Sequence, residues 1–132
     1  YAAAVRQALE AAPFDLVHAD TIALTPFVDL RPSSRVPTVL THHNIESQLM
    51  ERRADKEPRA AARWFLRREA AKLRDYEAAI SPRYDVNVFM SPQDRDLLMG
   101  RVPGLRAAVV PNGVDLDYFE ADTAGGTEPA LI

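Results

Sequence analysis

The sequence predicts an α/β fold in which a Rossmann-like parallel sheet is flanked by helices. Short apolar runs, typical of buried strands, alternate along the chain with longer segments of helical periodicity. This alternation favours a parallel, doubly wound sheet, because parallel strands need long crossover connections. The clearest strand is predicted over residues 37–42, where Thr38, Val39 and Thr41 are β-branched.

The composition is that of one globular domain. The chain has 132 residues, of which 47% are hydrophobic and 27% are charged, enough to build a core. Its net charge of -3 argues against a general nucleic-acid binder. The absence of cysteine excludes disulfides and thiolate metal sites and fits a reducing compartment. Because the chain starts at Tyr1 and ends at Ile132 within an apolar run, we expect a piece of a longer protein.

Prolines, caps and hydrophobic spacing divide the rest of the chain. The predicted elements are, in order, helix 1–12, strand 14–19, helix 22–30, loop 31–36, strand 37–42, a helix carrying Leu49 and Met50, helix 58–80, strand 84–90, helix 92–99, strand 107–110, turn 111–113 and linker 121–129. Asp20 or Thr21 would cap the second helix. Asn44 or Ser47 would cap the third helix, and Ser91 the last.

One face of helix 58–80 is apolar except for a single carboxylate. Its members recur at steps of three and four: Ala62, Leu66, Glu69, Leu73, Tyr76 and Ile80. A buried carboxylate needs a partner, so we expect an arginine beside Glu69. The alternative is that Glu69 points into a ligand cleft.

Polar residues that can do chemistry follow strand 37–42. In an open α/β sheet, ligands bind beyond the carboxyl ends of the strands. The residues found there are His42, His43, Asn44 and Glu46. Neighbours on a strand point to opposite faces, so His42 and His43 should diverge, which disfavours a zinc site shared with His18.

Two stretches carry a family resemblance. Residues 109–115 read Val-Val-Pro-Asn-Gly-Val-Asp and are followed by Tyr118-Phe119, and Thr41-His42-His43 ends the predicted strand. Both resemble the family-four retaining glycosyltransferases of the two-domain GT-B fold, as does Met90-Ser91 with Asp94. The run from His42 to Ser47 is also similar to bacterial sugar transferases linked to exopolysaccharide production.

The resemblance implies roles for the polar residues. His43 matches the family histidine near the donor sugar and is the candidate catalytic residue. It need not be the base, because in retaining transfer the leaving phosphate is thought to accept the acceptor's proton. The alternative is a structural histidine that caps a helix. His42, Asn44 and Glu46 are candidate substrate-binding residues; alternatively, His42 is packed, Asn44 is a helix cap and Glu46 is a favourable first-turn charge.

The resemblance also implies a domain division and partners. Residues 1–116 would be the latter part of the N-terminal, acceptor-side domain, and residues 117–132 the linker and the start of the donor-binding domain. Asn112 and Gly113 would form the turn and a hinge. The nucleotide-sugar donor would be held by the missing domain, so the chain alone would be inactive, and the acceptor would be a glycan or lipid-linked. No cofactor or metal is implied.

A basic segment in this acidic chain indicates an anionic surface nearby. Residues 51–74 carry nine Lys/Arg and four Asp/Glu, a charge of +5, whereas the rest carries seven basic and fifteen acidic residues, or -8. With Trp64 and Phe65, the segment could contact an anionic membrane surface. The alternative is a solvated helix with ion pairs. We expect a cytoplasmic protein, either free or peripheral on the inner face of the membrane.

A second hypothesis, from a different functional class, is a binding module without catalytic activity. The same sequence fits a non-catalytic α/β module that binds a ligand or partner without transfer chemistry. A second Rossmann-like domain downstream would favour the enzyme, because donor selection belongs to that half.

Overall fold

Helices and strands alternate along the chain in the computed structural model, which describes residues 1–28, 36–115 and 118. The helices are α1 (Ala2–Ala11), α2 (Glu46–Lys56), α3 (Ala60–Ile80) and α4 (Pro92–Arg101), with short 3-10 helices at Ile22–Phe27 and Ser81–Arg83. The strands are β1 (Val17–Ala19), β2 (Thr38–His42), β3 (Val86–Phe89) and β4 (Ala107–Val109).

The four strands form one parallel sheet in the order β1-β2-β3-β4. On β2 and β3, Thr41 lies beside Val88 and His42 lies beside Phe89. Strands that follow one another along a sheet need crossovers of the same hand, and these place the connecting helices on one face. The predicted α/β fold with a Rossmann-like parallel sheet is therefore confirmed.

The core lies on the helix-covered face of the sheet. One hydrophobic cluster joins Ala19, Ile22, Leu40, Ile80 and Tyr84. A second cluster joins Ile45, Phe89, Leu98 and Leu105. On the opposite face, Val39 and Val88 are half-buried. Along β3, successive side chains thus alternate between half-buried and buried, whereas every residue of β2 except Val39 is buried.

β1 is shorter than the predicted strand 14–19. Pairing starts where β2 starts, because Val17 lies beside Thr38. Phe14 and Leu16 precede this point and are 44% and 49% exposed, so the prediction that they are buried is wrong.

Two predicted helices differ in extent. The segment after Thr21 is a 3-10 helix rather than a helix over 22–30, and its Pro26 has no N–H to donate to an α-helical hydrogen bond. Thr21 does cap it, accepting from the Ala23 N–H. The predicted end of that helix, most of the loop at 31–36 and the linker at 121–129 lie outside the described residues. The last helix continues through Gly100 to Arg101.

The predicted turn at 111–113 is wrong. Residues 110–115 follow β4 without regular structure or a turn. Among the described residues, the one positive φ belongs to Gly104, at 82°, so Asn112 and Gly113 adopt no left-handed conformation here. The hinge role of Asn112 and Gly113 stays a prediction.

Candidate functional site

The carboxyl ends of β1 and β2 bring a carboxylate and an imidazole together. These strands are parallel neighbours, so the residues that follow them meet at one edge of the sheet. Asp20 follows β1 and His43 follows β2, and His43 Nε2 lies 3.2 Å from Asp20 Oδ1. The His43 side chain is 46% exposed, so a ligand can reach it.

The pairing determines which nitrogen of His43 carries the proton. An ionised carboxylate only accepts hydrogen bonds, so Nε2 donates to Asp20. In the neutral ring, Nδ1 then keeps its lone pair and can accept a hydrogen bond from a hydroxyl group. Asp20 therefore sets His43 up as an acceptor toward a ligand.

A second histidine and a threonine complete this polar surface. His18 Nε2 lies 2.7 Å from Thr41 Oγ1 and 3.9 Å from Asp20 Oδ1. Thr41 and His43 are two positions apart on one chain segment, which places them on the same side of the sheet. The four residues His18, Asp20, Thr41 and His43 are called the open cluster below.

His42 points the other way, into the protein. It is 3% exposed, its ring stacks on Phe89 with centroids 4.7 Å apart, and its Nε2 lies 3.0 Å from Asn87 Oδ1. Burial, the largest influence, lowers the pKa of His42 below its ordinary value of 6.5, although the Asn87 hydrogen bond and the charge of Glu77 act in the opposite direction. The predicted divergence of the two histidines is confirmed, and so is the packed environment of His42.

The orientation of Asn87 follows from its second partner. Asn87 Nδ2 lies 3.0 Å from the Ser81 carbonyl oxygen, which can only accept. The amide oxygen must then face His42, so His42 Nε2 is the donor of that bond. Ser81 is itself held, because its Oγ donates to the Glu77 carbonyl oxygen at 2.7 Å.

A buried carboxylate joins the starts and ends of three helices. Glu77 is 1% exposed and accepts from the Ser47 backbone N–H at 3.0 Å and from Ser47 Oγ at 2.5 Å. Arg101 Nη1 donates to Ser47 Oγ at 3.1 Å and lies 3.6 Å from Glu77 Oε2. The buried charge therefore has the partners that its burial requires. The residues His42, Ser47, Glu77, Ser81, Asn87 and Arg101 are called the buried network.

Two predictions about α2 and α3 are wrong. Glu69 is partly exposed and pairs with Lys72 at 2.8 Å, so the buried carboxylate with an arginine neighbour is Glu77 instead. Neither Asn44 nor Ser47 caps α2, because the N-cap is Ile45 and no side chain bonds there. Ser47 is the second residue of α2, where its backbone N–H and its hydroxyl both bond to Glu77.

The Ser91 prediction is confirmed at α4. Ser91 is the N-cap, with Pro92 at the first helical position. The Asp94 N–H donates to Ser91 Oγ at 3.2 Å, and Ser91 Oγ donates to Asp94 Oδ2 at 3.0 Å. This pair is a variant of the capping box, because Asp94 accepts from the Ser91 hydroxyl and not from the Ser91 backbone N–H.

In the described part of the chain, the structure shows no direct contact between the open cluster and the remaining candidate residues, which are Asn44, Glu46, Asn112 and Gly113. Asn44 is exposed, and Glu46 is half-buried in the first turn of α2, where its charge suits the helix dipole. Asn112 and Gly113 are exposed and follow β4, at the same carboxyl edge but two strands away. Their substrate-binding and hinge roles stay predictions.

The part of the chain that the structure describes contains no arrangement of side chains suited to metal coordination. No group of three His, Cys, Asp or Glu side chains there is arranged to hold an ion. His42 is directed away from His18 and His43, so these three histidines do not form a shared zinc site.

Three residues of the open cluster and the buried network were not predicted as site residues: Asp20, Glu77 and Asn87. Asp20 looks like a helix cap, and Glu77 lies one position beyond Tyr76 of the predicted apolar stripe. Of these three, Asn87 is the residue that the sequence could have indicated, since an amide inside an apolar strand must find hydrogen-bond partners when it is buried.

One comparison with known proteins finds a match. The family model described as Glycosyltransferase Family 4 matches residues 1–118 of the chain. Neither a curated protein nor a solved structure matches.

Proposed function

The chain belongs to Glycosyltransferase Family 4, and we propose that it forms the acceptor-side domain of a retaining glycosyltransferase. In this proposal, the full-length enzyme moves a hexosyl group from a nucleotide sugar to a glycan or lipid-linked acceptor during cell-surface polysaccharide synthesis in a bacterium. The observation that carries the proposal is the pair of His43 and Asp20, 3.2 Å apart at the ligand-binding edge of the sheet.

The proposed reaction breaks the bond between the anomeric carbon and the nucleotide diphosphate. A bond from the acceptor hydroxyl oxygen forms on the same face of the sugar, and the hydroxyl proton passes to the departing phosphate oxygen. His43 is then not the base. Its Nδ1 accepts a hydrogen bond from a hydroxyl group of the sugar, while Asp20 holds the ring in that orientation.

The other candidate residues have secondary roles in the proposal. Asn44 and Glu46 follow β2 and would contact hydroxyl groups of the acceptor. The buried position of His42 favours support of the strand end over contact with substrate. Asn112 and Gly113 would belong to the hinge toward a second domain that binds the nucleotide, so we expect no transfer by the chain alone.

We also propose a cytoplasmic location, at the inner face of the membrane when the acceptor is lipid-linked. None of the helices in the described residues combines the length and the hydropathy that crossing a bilayer would require.

The test measures release of nucleotide diphosphate by the full-length enzyme with a panel of nucleotide sugars. We expect release with one donor and a fall of about a hundredfold for His43→Ala, because a positioned hydrogen bond to the reacting sugar is lost. Asp15→Ala is the control, since Asp15 is exposed before the amino end of β1. Full activity of a folded His43→Ala enzyme contradicts the proposed role, and failure to bind any donor favours a non-catalytic α/β module.

A further inference from the structure

The helices α2 and α3 form a hairpin that is attached to the rest of the domain at its base. Ser47 and Glu77 bond at this base, and ion pairs of Glu51 with Arg74 and of Asp55 with Arg67 follow the two helices away from it. Of the residues in these helices, Ile80 alone belongs to the two hydrophobic clusters of the core.

The free end of the hairpin lies far from its base. Thirteen residues of α3 separate Trp64 from Glu77, which corresponds to about 20 Å along the helix axis. The base itself directly follows the carboxyl end of β2, where the open cluster lies. The free end therefore extends outward from the neighbourhood of the candidate site.

An aromatic and cationic face of α3 is exposed near this free end. Trp64 is 65% exposed and Phe65 is 54% exposed. Arg68 is one turn further along, with its guanidinium carbon 5.9 Å from the Trp64 ring centroid. Two large exposed aromatic side chains with an arginine beside them are typical of a surface that contacts the interfacial layer of a membrane.

Residues 51–74, which include the free end of the hairpin and leave out Glu46, Asp75 and Glu77 near its base, carry an excess of cations. The four carboxylates of this stretch, Glu51, Asp55, Glu57 and Glu69, are each paired with one basic residue. Five cations remain for which the described residues provide no salt bridge. They are Arg52, Arg53, Lys56, Arg63 and Arg68. The excess is therefore five positive charges, equal to the +5 counted over residues 51–74.

We propose that the free end of the α2–α3 hairpin docks on an anionic lipid bilayer through Trp64, Phe65 and Arg68, with the unpaired cations close to the lipid headgroups. The proposal rests on the proposed function, because docking would hold the candidate site next to a lipid-linked acceptor. A bilayer is favoured over an acidic protein because the cations are spread over both helices, so that no compact set of them defines a site for one acidic segment. A laterally uniform anionic surface can attract all of them at once.

The chain contains a suitable probe, because Trp64 is its single tryptophan. The test titrates the chain with vesicles of phosphatidylcholine alone and with vesicles of an equimolar mixture of phosphatidylcholine and phosphatidylglycerol. With the anionic vesicles we expect a blue shift of the Trp64 emission and quenching by brominated lipid. We expect neither with phosphatidylcholine alone, and added salt should weaken the binding.

The double variant Phe65→Ala/Arg68→Ala keeps the probe and removes its neighbours. We expect its partition coefficient onto anionic vesicles to fall about tenfold. The matched control is Arg6→Ala/Phe14→Ala, which removes an exposed arginine and an exposed aromatic residue outside the hairpin. This control should bind as the unsubstituted chain does.

Three results would overturn the docking proposal: equal binding to both kinds of vesicle, no loss in the hairpin variant, or binding to an acidic protein without binding to lipid. Release of nucleotide diphosphate by the unsubstituted full-length enzyme, measured without vesicles, tests the proposed function separately. Vesicle binding without release would leave the docking surface in place and overturn the transferase, and release without vesicle binding would do the reverse.

Discussion

Two neighbouring histidines at the end of β2 occupy opposite environments. His43 is about half exposed and pairs with a carboxylate, whereas His42 is 3% exposed and pairs with an amide. Both rings donate from Nε2, so the difference between them comes from burial and partner. The alternation of side chains along a strand thus assigns one imidazole to the ligand-facing edge and its neighbour to the interior.

The two environments carry different energetic demands. In the buried network every polar group needs a partner, because an unpaired polar group there costs far more than a hydrogen bond contributes. In the open cluster, the Asp20 and His43 side chains are exposed, so water can replace a lost partner of either one. We therefore expect substitutions in the buried network to change stability, and substitutions in the open cluster to change chemistry.

Replacing Glu77 with leucine should produce the largest effect. The substitution leaves Arg101 and the Ser47 N–H without their buried acceptor. Breaking a buried pair in this way lowers the free energy of unfolding by about 3–5 kcal/mol. Urea denaturation followed by circular dichroism measures it.

The matched control for this substitution is Glu69→Leu on the same helix. Glu69 pairs with Lys72 at a partly exposed position, so its loss should change the free energy of unfolding by less than about 1 kcal/mol. If the two variants are equally stable, the charges of the buried network contribute nothing specific and the contrast with the surface fails.

The Glu69 and Glu77 pair shows where sequence reasoning succeeds and fails. The long helix and its approximate ends could be predicted, because Ala-rich helical spacing is a local property of the chain. Which side of α3 faces inward depends on how α2 packs against it. With α2 in place, Ala70 and Glu77 are buried, while Tyr76 of the predicted stripe is 37% exposed.

The same distinction applies to the sheet and its site. The strands and their parallel direction could be predicted from apolar runs that alternate with helical segments, and the divergence of His42 and His43 follows from the period of a strand. The partners could not, because Asp20 and Asn87 reach these histidines only through strand pairing. Asp20 comes from β1 and Asn87 from β3, at separations of 23 and 45 residues.

A smaller effect should appear in the pH dependence of stability. The folded-state pKa of His42 lies below its ordinary value of 6.5, so between these two values the unfolded chain binds more protons than the folded chain. Titration of His42 does not affect the free energy of unfolding above about pH 7, and it lowers that free energy as the pH falls through 6.5. We expect His42→Phe, which keeps a ring on Phe89, to lose this part of the pH dependence in urea denaturation at several pH values.

His43→Phe provides the comparison for that measurement. It removes the neighbouring imidazole from an exposed position, so the acid-induced loss of stability should persist. An unchanged pH dependence in His42→Phe, or its disappearance in His43→Phe, would show that the buried ring is not the group that titrates.

The smallest change in stability, and the sharpest test of the open cluster, is expected for Asp20→Asn. An exposed pair contributes little, so the free energy of unfolding should stay within about 1 kcal/mol of the original. Asparagine can present either its oxygen or its NH₂ group to His43, so the ring loses its fixed Nε2–H form. Nitrogen-15 NMR of the histidine rings should then show a mixture of tautomers for His43 and an unchanged signal for His42. Asp15→Asn, at the other end of β1, should alter neither ring, and a His43 tautomer that survives Asp20→Asn would mean that Asp20 does not orient it.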